Sequence, residues 1–130
     1  MYYKAEGNGS RMKLSRVMEV LSARVYTDIP YDDIEIHAAC GADLMSDALA
    51  FGDNKGLLLT GLNNPQCVRT AEMMDIHCII LVRGKVPDTG LIALADEKGI
   101  IVMKTDYTMY TSCGLLYQAG LSGGDPCGTL

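Results

Sequence analysis

Residues 56–103 read GLLLTGLNNPQCVRTAEMMDIHCIILVRGKVPDTGLIALADEKGIIVM. Three apolar runs stand out, at Gly56–Thr60, Ile76–Val82 and Ile100–Met103. None alternates polar with apolar residues, so each reads as a strand covered on both faces. Two helix signals lie between them. Asn64 and Pro65 suit the N-cap and first position of a helix running to about Met74, with Val68, Ala71 and Met74 inward. Asp88 or Thr89 caps a second helix, which a basic last turn and a glycine stop at Lys98-Gly99. This order predicts parallel strands joined by right-handed crossovers. Strands so apolar need helices on both faces. The expected fold class is therefore α/β, a three-layer sandwich with a mostly parallel sheet.

Reading outward, Leu14, Val17, Met18 and Leu21 form one apolar stripe of a helix starting at Lys13, with Ser10 or Ser15 as its cap. Val25–Thr27 and Ile34–Cys40 read as strands around an Asp28–Asp33 turn. They are free to pair in either direction, which leaves room for a mixed sheet. Gly41–Asp47 leads into a helix through Ala50, with Ser46 or Asp43 as N-cap. Thr105-Asp106 opens a last helix ending at Gly120, with Met109, Cys113, Leu116 and Tyr117 inward. The expected organisation is a lead-in at 1–11, one domain over 12–120 and a loose glycine-rich tail at 121–130.

At 130 residues with 48% apolar and 21% charged side chains, the chain fits one folded domain. A net charge of −5 without a basic run argues against nucleic acid as a partner. The longest apolar runs fall far short of the ~20 residues of a membrane span. No secretory signal pattern opens the chain, and the expected compartment is the cytoplasm. Five cysteines (Cys40, Cys67, Cys78, Cys113 and Cys127) make an odd set without CxxC spacing, which suits neither a disulfide framework nor zinc. Cys40, Cys78 and Cys113 read as reduced thiols in apolar segments, and Cys127 as an exposed one. His37 and Cys40 would face opposite sides of a strand, so no metal site is expected there. His37 and His77 adjoin apolar strands and read as core or strand-end residues rather than bases. Eight methionines beside one phenylalanine and no tryptophan imply an adaptable core. Met12, Met45, Met73, Met74 and Met109 also make a candidate self-association face.

Ligands of open parallel sheets bind beyond the carboxyl ends of the strands. Three such junctions carry small polar residues: Gly41, Asp43, Ser46 and Asp47; Thr60, Gly61, Asn63 and Asn64; and Lys104, Thr105 and Thr108. Helix N-termini gathered at one edge suit a phosphate or carboxylate, with Lys104 and Arg83 supplying charge. The same residue types are ordinary helix caps, so any one junction alone reads as capping. No GxxxxGK[ST] or GxSxG motif occurs, and no catalytic residue or cofactor is assigned.

The order of motifs resembles the DRTGG-domain family. It is carried by the helix from Met12, the Gly41–Ala50 string, Gly56–Gly61, Cys78–Asp88 and Ala95–Thr111, about residues 12–120. The name-giving Asp-Arg-Thr-Gly-Gly string is absent, and the Arg83-Gly84-Lys85 loop is more basic than is usual there. The Asp43–Asp47 segment looks most like a stand-alone subgroup associated with iron hydrogenases. The resemblance implies a fold like the N-terminal domains of HPr kinase and Mur ligases, a homodimer, and regulation rather than catalysis. The leading expectation is a non-catalytic domain sensing a small, nucleotide-like anion. A second reading is a ligand-free adaptor for a redox or hydrogenase-type complex. A third is a small phosphate-handling enzyme using Asp43, Asp47 and Lys104.

Overall fold

The computed structural model describes residues 11–51 and 56–124. In chain order the elements are β1 (Met12–Lys13), α1 (Leu14–Leu21), β2 (Arg24–Val25), β3 (Glu35–Ile36), β4 (Ala38–Gly41) and α2 (Met45–Phe51). There follow β5 (Gly56–Thr60), α3 (Gln66–Met73), β6 (Cys78–Leu81), α4 (Thr89–Lys98), β7 (Ile101–Lys104) and α5 (Met109–Gln118). The main sheet has the order β2-β7-β6-β5-β4; β1 and β3 form a separate ribbon. Strands β4 to β7 are parallel, whereas β2 runs antiparallel to β7. The sheet is therefore mixed.

From β4 to β7 each strand takes the next place in the sheet in the same direction. Right-handed crossovers then put α2, α3 and α4 on one face. Register fixes which side chains meet them. Leu58, Ile79 and Val102 lie side by side across the strands and pack with Met45, Ala48, Val68, Ala71, Leu91 and Ala95. The next row, Leu59, Ile80 and Met103, points the other way and packs with Leu14, Val17 and Leu21 of α1 and Leu116 of α5. All five residues of β5 are buried, as a strand covered by helices on both sides requires.

The helix signals hold in part. Asp88 caps α4 by accepting from the Leu91 N–H at 3.2 Å, and Gly99 ends it in a left-handed conformation (φ 73°) that glycine adopts without a Cβ penalty. Val68, Ala71 and Met74 are buried as expected. Other boundaries differ. Lys13 pairs with Glu35 in the β1–β3 ribbon, and the Leu14 N–H donates to the Ile34 carbonyl at 2.9 Å, so α1 starts straight from a strand. Ser15 is already inside that helix, and Ser10 lies outside the described residues. The single strand expected over Ile34–Cys40 is divided at His37 between two sheets. The last helix starts after Thr108, not at Thr105-Asp106, because those two residues serve the loop before it. Met109, Cys113 and Leu116 pack against the core as expected and Ser112 is buried beside them, whereas Tyr117 is 57% exposed. Met12, Met45 and Met74 are buried, whereas Met73 is exposed.

Cys67 and Cys78 are buried thiols, and burial pushes Cys67 up to about 11 and raises Cys78 as well. Burial also raises Cys113. Cys127 lies outside the described residues. Beyond α5, Leu121 is buried and the Ser122 carbonyl accepts from the Ala39 N–H of the outer strand β4 at 3.1 Å. Among the described residues no helix is long and apolar enough to cross a membrane.

The Ser112 hydroxyl is fully buried in α5 without a hydrogen-bond partner. An unsatisfied buried hydroxyl costs about 1–3 kcal/mol, and alanine is also the better helix former. Ser112→Ala is expected to stabilise the protein by about 1 kcal/mol, read as a higher denaturant midpoint at unchanged slope. A lower midpoint would refute this.

Candidate site at the carboxyl edge of the sheet

At the carboxyl ends of β4, β5, β6 and β7 four loops take over from the ladder, at 42–44, 61–65, 82–88 and 105–108. The helix after β6, α4, lies on one face of the sheet, and the helix after β7, α5, on the other. Adjacent strands whose connections leave to opposite faces mark the switch point at which α/β sheets bind ligands. The 82–88 loop is the hub. Arg83 and Gly84 both have left-handed backbones, with φ of 66° and 70°. Their N–H groups donate to the carbonyls of Tyr107 at 2.7 Å and Thr105 at 2.8 Å. Two backbone bonds thus bridge the switch point and tie the two loops together.

The same hub reaches the 61–65 loop. Lys85 Nζ donates to the Gly61 carbonyl at 2.6 Å. The Asn63 amide donates to the Val86 carbonyl and accepts from the Asp88 N–H, each at 2.8 Å. From the 42–44 loop, Asp43 Oδ1 accepts from the Gly61 N–H at 2.6 Å, and its Oδ2 stands 3.8 Å from Arg83 Nη2. The guanidinium lies over Gly61 itself, since a Cβ there would sit 2.2 Å from Nη2. Only glycine allows that approach. On the far side Lys104 Nζ pairs with Asp106 Oδ1 at 2.8 Å. That carboxylate also lies 3.2 Å from where a Cβ on Gly84 would be.

The structure draws Asp43, Gly61 and Asn63 into this network, with Lys104 at its margin. The other residues singled out by sequence have different duties. Asn64 caps α3 through the Gln66 N–H at 2.8 Å, and Thr108 caps α5 through the Thr111 N–H at 3.3 Å. Thr60 is buried, and its hydroxyl accepts from the Leu62 N–H at 3.1 Å. Thr105 is buried too, and its hydroxyl donates to the Leu21 carbonyl at 2.7 Å. Ser46 and Asp47 are exposed in the first turn of α2; neither is its cap, and Asp43 bonds Gly61 instead of that helix. Asp43 therefore does not share a helix with Asp47. Gly41 lies against Met109 and Cys113, within 3.0 and 3.1 Å of an added Cβ, beside a cleft of about 120 Å³ that is apolar.

Lys85 was not among the sequence candidates; its only signal was the basic run 83–85 after a buried strand. Both histidines are exposed and precede strands β4 and β6, at the opposite edge from this site. Among the described residues no three His, Cys, Asp or Glu side chains gather as metal ligands. Chemically, the rim offers a guanidinium, two ammonium groups and the Gly61 N–H. Such donors make short, charge-assisted bonds to anionic oxygens.

Replacing Thr105 tests whether it holds the loop rather than a ligand. Thr105→Val keeps the shape but leaves the buried Leu21 carbonyl without its donor, so a stability loss of about 1–3 kcal/mol is expected in denaturant unfolding. A loss below about 0.5 kcal/mol would show that the bond carries little.

A profile of the DRTGG domain matches residues 16–119. No curated protein matches the chain. Among solved structures, the chain is similar to the CBS and DRTGG domains of the regulatory region of Clostridium perfringens pyrophosphatase, complexed with the activator diadenosine tetraphosphate. The identity is 16% and the TM-score 0.71, over 95% of this chain and 56% of that one. The likeness is one of fold, and this chain spans little more than half the length of that protein's.

Proposed function

Because the chain belongs to the DRTGG-domain family, we propose that it is a regulatory, non-catalytic domain that takes a small anionic ligand at the carboxyl edge of its sheet. One observation carries this reading: the half-exposed Arg83 guanidinium and the Lys85 ammonium both reach Gly61, beside the switch point between β6 and β7. The similar pyrophosphatase region is complexed with a nucleotide activator, which favours a nucleotide-like anion whose phosphates would meet these cations. Residues 12–120 are the proposed functional unit. Regulation would work by population shift, a ligand favouring one arrangement of the rim loops over another.

The proposal includes a homodimer. Its support is the outer side of α5, where Tyr110 is 89% and Tyr117 57% exposed, since amphipathic aromatic side chains are enriched where proteins associate. Sedimentation of the wild type is expected to give a dimer, and of Tyr110→Ala with Tyr117→Ala a monomer. A monomeric wild type would remove self-association from the reading.

The ligand is sought by thermal unfolding with nucleotides, nucleotide sugars and sugar phosphates at about 1 mM. A ligand at about 100 times its Kd adds ~2.7 kcal/mol, which moves the midpoint by several degrees for a domain of this size. The shift is expected to vanish in Arg83→Gly and Lys85→Ala. Glycine suits the left-handed backbone at 83, so that loss would not reflect misfolding. A flat panel would favour the ligand-free adaptor, serving a redox or hydrogenase-type complex.

A further inference from the structure

We infer that Asp43 is a built-in occupant of this anion site, and that a bound anion takes its place on Gly61 and Arg83. The inference rests on the site proposed above and adds how that site is regulated. The Asp43 carboxylate already makes the contacts an anionic ligand would make: one oxygen on the Gly61 N–H at 2.6 Å, the other facing the Arg83 guanidinium at 3.8 Å. The pairing to Arg83 is loose beside the 2.8 Å contact of Lys104 with Asp106. Both side chains are half-exposed, 58% for Asp43 and 49% for Arg83, so a dissolved anion reaches them without the core opening. An exposed pair of this kind contributes little. A ligand with more negative charge and a geometry that also meets Lys85 would displace it.

The exchange leaves no buried group unsatisfied. The Gly61 N–H passes from one anionic oxygen to another, and the Asp43 carboxylate passes to water. What moves is the Asp43 side chain, in the 42–44 loop. Its start is held by the Ala42 N–H on the Leu59 carbonyl at 3.0 Å, and its end by the Leu44 carbonyl accepting from the N–H groups of Asp47 and Ala48. Between these anchors only Asp43 is free to turn, and the exposed apolar side chain of Leu44 stands next to it at the start of α2. A carboxylate turned out to water beside that apolar residue changes the exposed surface there, which gives ligand occupancy an outward signal.

The test is calorimetric titration of the full chain with inorganic pyrophosphate, using wild type, Asp43→Asn and Arg83→Gly, together with the Gly61 amide resonance by NMR. Asparagine keeps an acceptor for the Gly61 N–H and removes the competing charge. Asp43→Asn is expected to bind pyrophosphate about fivefold more tightly than wild type, the size of a surface charge pair. Arg83→Gly is expected to lose binding. The Gly61 amide of the wild type should move on adding pyrophosphate. If wild type binds and Asp43→Asn binds equally or more weakly, self-occupancy is wrong while the anion site stands. If neither binds and the Gly61 amide does not move, the anion site itself is wrong.

Discussion

Strands buried on both faces can satisfy their backbone groups only with one another, and where their ladder stops other partners must be found. The rim of this domain is the solution to that constraint. The ladder ends at Thr60, Leu81 and Lys104. Just beyond, the Gly61 N–H goes to Asp43 and its carbonyl to Lys85. The N–H groups of Arg83 and Gly84 go to the carbonyls of Tyr107 and Thr105. Asn63 joins Val86 to Asp88. Side chains that look like ligand groups are first of all terminators of the sheet. Beyond that duty, termination leaves the Arg83 guanidinium half-exposed.

That constraint also explains how much was legible in the sequence. The strands β5, β6 and β7 and the caps at Asp88 and Gly99 could be read because each depends on local chemistry: unbroken apolar runs, a carboxylate before a helix, a glycine after it. The stripe Leu14, Val17, Leu21 is legible for the same reason. The division of Ile34–Cys40 was not. It depends on Glu35 and Ile36 finding Lys13 and Met12 across more than twenty residues, a pairing no local pattern announces. The late start of α5 has a similar cause. Thr105 looks like a cap, but its hydroxyl is drawn to the Leu21 carbonyl, 84 residues away in sequence. At the site, the convergence of loops was legible from topology alone. Arg83 could be read as a source of charge there, but Lys85 could not, because it reaches Gly61 only through the fold of the 82–88 loop.

The two edges of the sheet are treated differently, and this bears on where partners can meet the domain. On one side β2 adds an antiparallel strand beside β7, and the Thr27 hydroxyl accepts from the Val102 N–H at 3.1 Å. On the other, β4 is the outer strand and is covered where Ser122 meets Ala39. Exposed strand edges invite pairing with other chains, and here parts of both are closed from within. The exposed apolar side chains instead belong to helices and loops, among them Leu44, Met73, Tyr110 and Tyr117. Association through helix surfaces fits this distribution better than strand addition.

Arg83 is the residue for which stability offers no account. A left-handed backbone costs a non-glycine residue about 1–2 kcal/mol relative to glycine. Its exposed, loose pairing with Asp43 returns at most about 1 kcal/mol, and an ion pair of this kind is often worth nothing measurable. The backbone bonds of its N–H would be made equally well by glycine, which already stands at the next position with the same conformation. The guanidinium also lies over Gly61, and a side chain at 61 would push it aside. The left-handed backbone at 83 thus carries one half-exposed cation whose effect on folding is neutral at best. A charged side chain on such a backbone, beside the switch point of a parallel sheet and over Gly61, is the feature of the rim that termination of the sheet and folding do not account for.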